Sequence, residues 1–403
     1  MKINTNNQDI AELIERGVED IYPDKASLEK KLKSGEKIKL YCGFDPSAKS
    51  LHIGNAILIN KLSQFQKLGH EVIFLIGDFT GMIGDPTDKT SVRKKLSRED
   101  VLVNSKDYKK QASSFLSFSG NNPAKLKYNS EWNDKLSFKD LIELSSNFTV
   151  QQMLQRDMFQ KRQEEEKPIY LHEFLYPLTQ AYDSVAMDVD LEIGGNDQMF
   201  NMMCGRDLLK TLKNKEKFVL TMKLLADESG KKMGKSEGNV VFLNEEANEI
   251  YGKVMSWPDE VMSVAFELCT QLDWQEVQDI QKQLKTKDVN FRDMKMKLAR
   301  EITSSIKGDK EAQRAEEYFV RTIQKKEVPD NIEQISLKKD SLNILDLLVI
   351  TKLTSSKGEA RRLIKQNGLK IDGELVESVD LELSLEKPRL IQKGKRYFLK
   401  VKK

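Results

Sequence analysis

The chain has 403 residues, 39% hydrophobic and 32% charged, with a formal net charge of +3; that length predicts two or three folded units rather than one simple core. No run of about 18 apolar residues is present to span a bilayer, and the opening "MKINTNNQDIAELIERGVED" carries acids inside an amphipathic pattern, unlike a signal peptide, so a cytoplasmic protein without a membrane partner is expected. Three scattered cysteines, Cys42, Cys204 and Cys269, and three histidines, His52, His70 and His172, argue against a disulfide framework, a structural zinc site or a multi-histidine centre, and no permanently bound metal is expected.

Residues 37–80 hold the clearest order. "KIKLYCGF" reads as a strand, "IGNAILINKLSQFQKLG" as a helix ending at Gly69, and "EVIFLIG" as an apolar strand. Strand, helix, strand is a βαβ unit, which predicts an α/β fold with a parallel sheet and a ligand at the carboxyl ends of its strands. A lysine-rich passage at 88–110 reads as a mobile loop and helix start, and 112–165 as a helical segment inserted into the sheet. "YLHEFLYPLTQAYDSVAMDVDLEIGG" returns to the sheet through a helix and a strand. Helices are expected over 245–325, a linker around Pro329, and a small terminal domain with strands at "LKIDGELV" and "RYFLKVKK" behind the basic helix "SSKGEARRLIKQNG". The predicted organisation is therefore 1–245, 246–328, a linker 329–340, and 341–403. From Asp340 onward 14 lysines and arginines face 9 carboxylates, which predicts an anionic partner for the last domain.

Two stretches invite phosphate chemistry. In "GFDPSAKSLHIGN" a strand ends in a glycine-containing loop that feeds a helix near His52, placing free N–H groups and the positive end of the dipole at the ligand edge; the same stretch also reads as a capped tight turn. In "GKKMGKSEGN" the glycines at 230 and 234 are separated by three residues where a P-loop needs four, and an extended segment follows where a P-loop opens a helix. Lys232 and Lys235 then belong either to a solvated turn or to a loop that closes over a polyphosphate.

Together, His52-Ile-Gly-Asn55 and Lys232-Met-Gly-Lys-Ser236 resemble the paired signature motifs of class I aminoacyl-tRNA synthetases. "YCGFDPSAKSLHIG", "GMIGDPT", "YPLTQAYD" and "GGNDQ" stand between and around them in the order found in bacterial tyrosyl-tRNA synthetases. The resemblance implies a Rossmann-like catalytic domain, then a helical domain that meets the anticodon arm, then a small α+β RNA-binding domain. It implies activation of L-tyrosine with ATP and Mg²⁺ to tyrosyl-adenylate and pyrophosphate, transfer of tyrosyl to tRNA(Tyr), and a homodimer. Tyr41 and Asp183 would hydrogen-bond the substrate phenol, while Tyr176, Gln180 and Asp85 would hold its ammonium. Ser47, His52, Lys89, Arg93, Lys232 and Lys235 would serve the pyrophosphate. Cys42, Gly43, Asp45, Gly54, Asn55, Gly195, Asp197 and Gln198 would border the ATP and adenylate, and Lys357, Arg361, Arg362 and Lys365 would meet the tRNA backbone.

The residues agree with this chemistry. Tyr176, Gln180 and Asp183 fall at i, i+4 and i+7, on one helix face. Attack of a carboxylate on an activated phosphate needs positioning and charge more than a protein nucleophile, in keeping with the scarcity of histidine. Two positions depart from the family's pattern: Asn55 stands in place of a second histidine, and Gly234 in place of a serine, although glycine is frequent there in the tyrosine branch. A tryptophanyl-tRNA synthetase and an inactive synthetase-like RNA-binding protein are the competing readings.

Overall fold

The computed structural model describes residues 2–87, 96–226, 240–286, 289–324, 332–337, 339–394 and 397–403. The chain divides into two compact units, Met1–Glu246 with Lys253–Asp309, and Ala247–Gly252 with Lys310–Lys403.

The first unit is built on a six-stranded sheet of β1 (Val18–Tyr22), β2 (Lys39–Phe44), β3 (Glu71–Ile76), β4 (Lys125–Tyr128), β5 (Leu191–Gly195) and β6 (Phe218–Met222), in the order β1-β6-β5-β2-β3-β4. All neighbours are parallel except β1, which runs antiparallel to β6. The central strands β3 and β5 are buried along almost their whole length, as a sheet covered on both faces requires, and β3 is an apolar run after Glu71. From β2 the chain builds outward through β3 and β4, then crosses back to lay β5 on the other side. Such a reversal opens a crevice at the carboxyl ends of the two strands that flank it. The register shows the opening: β2 pairs with β3 from Lys39↔Glu71 through Phe44↔Ile76, whereas its pairing with β5 consists of Leu40↔Leu191 and Tyr41↔Glu192.

Helix α1 (Ile53–Lys67) makes the β2–β3 crossover and buries Ile53, Ala56, Ile59, Leu62 and Phe65, the positions that its apolar spacing predicts. The helix ends at Gly69, whose φ of +97° turns the chain into β3 where a Cβ would lie 3.0 Å from the carbonyl oxygen of Lys2. Helix α2 (Leu171–Met187) packs along α3 (Met199–Lys213) and buries Tyr176, Leu178, Ala181, Asp183 and Ser184. Its first turn is anchored by Glu173, which takes a bidentate ion pair from Arg162 at 2.6 and 2.9 Å and accepts from the Tyr170 backbone N–H at 2.9 Å.

Three strands of the first unit, β1, β4 and β6, were not expected. Within 112–165 the helices Phe138–Ser145, Val150–Leu154 and Asp157–Glu164 form as anticipated, but β4 precedes them as an edge strand, and its "KLKY" has the charged alternation that edges carry. Near the start, β1 follows the amphipathic helix Asn7–Glu15. The helices Met262–Cys269, Trp274–Thr286 and Phe291–Lys307, predicted as a separate domain, group with the sheet. Buried Arg16 explains the attachment: it donates to the carbonyls of Glu267, Thr270 and Leu272 at 3.1, 2.9 and 2.8 Å.

In the second unit, strands order as 374–375, 369–371, 389–393, 397–402 and 333–336. A core of Ile344, Leu347, Leu348, Ala360, Ile364, Ile391 and Val401 lies against the sheet. Asp372 and Gly373, at φ of +52° and +91°, make the tight hairpin turn between the first two of these strands. Helix Lys357–Lys365 turns Ala360 and Ile364 inward and leaves Lys357, Arg361, Arg362 and Lys365 exposed, with Lys357 paired to Asp346 at 2.6 Å. Inside the stretch expected as a linker, Glu333–Ser336 adds a parallel strand beside Tyr397–Lys402, because Ile335 packs against this core. Residues 329–331 and 338 of that stretch lie outside the described residues.

Arg162 and Glu173 are 1% and 5% exposed at their side chains, so removing one partner strands a buried charge. Arg162→Met is expected to lower unfolding stability by about 3–5 kcal/mol in urea titration, with much of the loss recovered in Arg162→Met/Glu173→Leu.

Candidate active site

Every described residue expected in the catalytic or small-substrate set lines one cleft at the β2/β5 crevice. Strand β2 contributes Tyr41, Cys42 and Gly43, and its loop Asp45 and Ser47; the start of α1 contributes His52, Gly54 and Asn55. The end of β5 and the turn after it contribute Gly195, Asp197 and Gln198, α2 contributes Tyr176, Gln180 and Asp183, and the loop after β3 contributes Asp85. Lys89 and Arg93, in the 88–95 part of the passage expected as a loop, and Lys232, Gly234 and Lys235, in 227–239, lie outside the described residues. The chain on either side is described: Asp85, Leu225 and Val240 line the same cleft. Val241 accepts from the Ile53 N–H and Leu243 donates to Leu51, both at 2.9 Å, which ties residues 241–243 to the start of α1.

His52 caps α1. Its Nδ1 accepts from the Gly54 N–H at 3.1 Å, and Asn55 Oδ1 accepts from the His52 N–H at 3.0 Å, closing a capping box. A neutral ring that accepts at Nδ1 carries its proton on Nε2. The absence of a side chain at Gly54 permits this fold-back, since a Cβ there would sit 3.0 Å from the imidazole. Asn55 is thereby explained structurally: the residue standing where the family's second histidine is found serves the helix cap.

Deeper in the cleft Tyr41, Tyr176 and Asp183 are buried. Asp183, 2% exposed, accepts from Trp132 Nε1 at 2.7 Å, Asn133 Nδ2 at 3.2 Å and Asn129 Nδ2 at 3.2 Å. Burial pushes its carboxyl well above the ordinary carboxylate range, and the N–H donors oppose that shift. Burial likewise raises the phenols of Tyr41 and Tyr176, which stay protonated. Tyr41 Oη lies 3.0 Å from Ser184 Oγ. Tyr176 donates to Asp45 Oδ2 and Thr80 to Asp45 Oδ1, each at 2.7 Å; Gly77 makes room, because its Cβ would fall 2.0 Å from Asp45 Oδ1.

Gln180 gives its amide N–H to Glu192 Oε1 at 3.1 Å, and its Oε1 is buried without a hydrogen-bond partner among the described residues. An unpaired buried acceptor in a cleft is a place for a cationic donor. Asp85 is held at both oxygens: Oδ1 accepts from the Thr87 N–H at 3.0 Å and hydroxyl at 2.7 Å, and Oδ2 from Gln198 Nε2 at 2.7 Å. Arg156, stacked 4.9 Å over Phe200, donates to the Thr87 hydroxyl at 2.8 Å and so braces the Asp85 turn. Thr80, Asn129, Trp132, Asn133, Arg156, Ser184, Glu192 and Lys217 were not singled out in the sequence. The "YNSEWN" run beside β4 was the available signal for three of them, since its side chains are polar where a helix core would be apolar.

Comparison with known proteins agrees with this geometry. Residues 33–324 match the family described as tRNA synthetases class I (W and Y), and residues 324–401 match the tyrosine–tRNA ligase SYY-like C-terminal domain. The tyrosine–tRNA ligase of Thermotoga maritima is 41% identical over 96% of this chain and 96% of its own, and that of Syntrophotalea carbinolica is 44% identical over 97% of each. Among solved structures, the C-terminally truncated mitochondrial tyrosyl-tRNA synthetase of Coccidioides posadasii aligns with a TM-score of 0.63 at 24% identity, over 77% of this chain and 92% of that one. The Archaeoglobus fulgidus tyrosyl-tRNA synthetase complexed with L-tyrosine gives 0.61 at 20%, over 77% and 100%; at these identities the likeness speaks for the fold. A cleft at the sheet's switch point, a capped helix facing it and a matching terminal domain thus converge, and the chain belongs to the class I tRNA synthetases of the tryptophan and tyrosine branch, grouped by its full-length relatives with the tyrosine–tRNA ligases.

Proposed function

We propose that the chain is a tyrosine–tRNA ligase that joins L-tyrosine to ATP and then charges tRNA(Tyr). The observation that carries this reading is that buried Asp183 and Tyr41 both line the cleft, together with Gln180, whose Oε1 has no hydrogen-bond partner among the described residues. A phenol both donates and accepts one hydrogen bond, so it serves Asp183 and Tyr41 together; phenylalanine would bring Asp183 no further donor and the Tyr41 proton no acceptor in a buried site. Full-length relatives named tyrosine–tRNA ligases and the matching C-terminal domain favour this over a tryptophan enzyme.

The tyrosine carboxylate attacks the α-phosphorus of ATP in line. A carboxyl–phosphate bond forms, the bond to the β-phosphate's bridging oxygen breaks, and pyrophosphate leaves with the Mg²⁺ that entered with ATP. A hydroxyl of the terminal adenosine then attacks the tyrosyl carbonyl and AMP leaves. The protein positions and stabilises charge. His52 Nε2–H and Ser47 meet the phosphates at the start of α1, Lys89, Arg93, Lys232 and Lys235 supply positive charge to the leaving pyrophosphate, and Cys42, Gly43, Asp197 and Gln198 border the ribose and adenylate. Tyr176 and Gln180 hold the ammonium directly, while Asp85, bonded at both oxygens, acts with Gln198.

In the second unit, the exposed Arg361, Arg362 and Lys365 beside Lys357 form the tRNA contact. A homodimer is supported by large apolar side chains left exposed in 138–171: Phe138 at 79%, Ile142 at 54%, Val150 at 65% and Leu171 at 78%. Phe138 and Ile142 stand one turn apart on the same helix.

Tyrosine is expected to drive ATP–pyrophosphate exchange, and Lys235→Ala to lower its kcat by about tenfold or more; an unchanged kcat would remove Lys235 from the transition state. Arg361→Glu/Arg362→Glu is expected to leave exchange intact while cutting tRNA aminoacylation and flattening the salt dependence of tRNA binding by about one to two phosphate contacts. Phe138→Asp/Ile142→Asp is expected to shift the mass measured by light scattering from dimer to monomer.

A further inference from the structure

Glu192 lines the cleft and forms a buried ion pair with Lys217 for which the reaction as described has no use. Lys217 and Glu192 are 0% and 2% exposed and hydrogen-bonded to each other, and Ser184, fully buried, lies beside them. Lys217 Nζ donates to Ser184 Oγ at 2.8 Å, and Ser184 Oγ lies 3.0 Å from Tyr41 Oη and 3.4 Å from Glu192 Oε2. The other carboxylate oxygen of Glu192 accepts from Gln180 Nε2 at 3.1 Å. The fold is shaped around this cluster: Tyr41 and Glu192 are register partners on β2 and β5, and α3 presents Gly205 to it, where a Cβ would sit 2.7 Å from Lys217 Nζ and 2.9 Å from Ser184 Oγ.

The chemistry of each group dictates direction. An ammonium only donates, so Ser184 accepts from Lys217 and has one proton to give. Of its two acceptors Tyr41 is the nearer, and Glu192 Oε2 is already served by Lys217. Tyr41, accepting from Ser184, then gives its own proton to another group. At the other end a carboxylate only accepts, so Gln180 must turn its N–H toward Glu192, which turns its oxygen away from it, the atom that is buried without a partner among the described residues.

We propose that the Lys217–Glu192 pair is a positioning device that sets hydrogen-bond polarity at both ends of the amino-acid pocket, with Tyr41 as donor to the phenol oxygen and Gln180 as acceptor for the ammonium. Asp183 supplies the acceptor for the phenol proton. The pocket therefore requires a group that donates and accepts at one point, a demand that an indole N–H, which only donates, fails. The proposal rests on the tyrosine reading of the cleft and adds what orients it.

The test is steady-state pyrophosphate exchange with tyrosine and phenylalanine on the full-length protein. Ser184→Ala removes the relay to Tyr41 and leaves the ion pair and the Gln180 contact in place. It is expected to raise the KM for tyrosine about three- to tenfold, to lower the tyrosine-over-phenylalanine preference by the same factor, and to leave the KM for ATP and kcat unchanged, while the melting temperature falls because buried Lys217 loses one acceptor. Glu192→Gln acts at the ammonium end as well, so it should weaken phenylalanine along with tyrosine. A Ser184→Ala enzyme with unchanged preference, or one whose ATP and tyrosine KM values rise together, would overturn the proposal. Absence of tyrosine-dependent exchange in the wild type would instead count against the ligase reading itself.

Discussion

A carboxylate buried at 2% exposure is costly unless its oxygens are paired, and Asp183 is the point around which the first unit is organised. Three side-chain N–H groups reach it, all from 129–133, directly after β4. That segment is held to the sheet by the Asn129 N–H, which donates to Ile76 at 3.0 Å beside the end of β3. The edge strand therefore does more than widen the sheet: it leads into the segment that carries the donors for a buried carboxylate. Helix α2 supplies Asp183, Gln180, Tyr176 and Ser184 from adjoining positions, and the Arg162–Glu173 pair at its first turn fixes where those positions fall.

The two ends of the cleft use different physics. At the amino-acid end, buried groups with fixed donor and acceptor directions discriminate between side chains. At the phosphate end, the start of α1 offers the positive end of the helix dipole, while its first N–H groups are taken: that of Ile53 by Val241, that of Gly54 by the His52 ring, and those of Asn55 and Ala56 by the His52 carbonyl. Charge that develops on pyrophosphate is best met by cations, which are plentiful in 88–95 and 227–239 and whose flanking residues line the cleft.

Much of this was legible in the sequence. The β2–α1–β3 unit follows from apolar spacing, the one-face placement of Tyr176, Gln180 and Asp183 from helical periodicity, and the ligand edge from the parallel sheet. Other parts left little trace. Lys217 and Glu192 lie far from Tyr41 in the chain, and a lysine before an apolar strand reads as surface until the fold closes over it. Strand β4, short and lysine-bearing, has no periodicity to separate it from the helices that follow. The grouping of 253–309 with the sheet depends on Arg16 reaching across more than 250 residues to backbone carbonyls, a tie that no local pattern announces.

The central claim is that the cleft recognises a phenol through buried, directional hydrogen bonds. Calorimetric titration of the wild-type protein with tyrosine, phenylalanine and tryptophan in the absence of ATP tests it most directly. Saturable binding of tyrosine, with no measurable heat from the other two at the same concentrations, is the predicted result. Comparable binding of phenylalanine or tryptophan would contradict it.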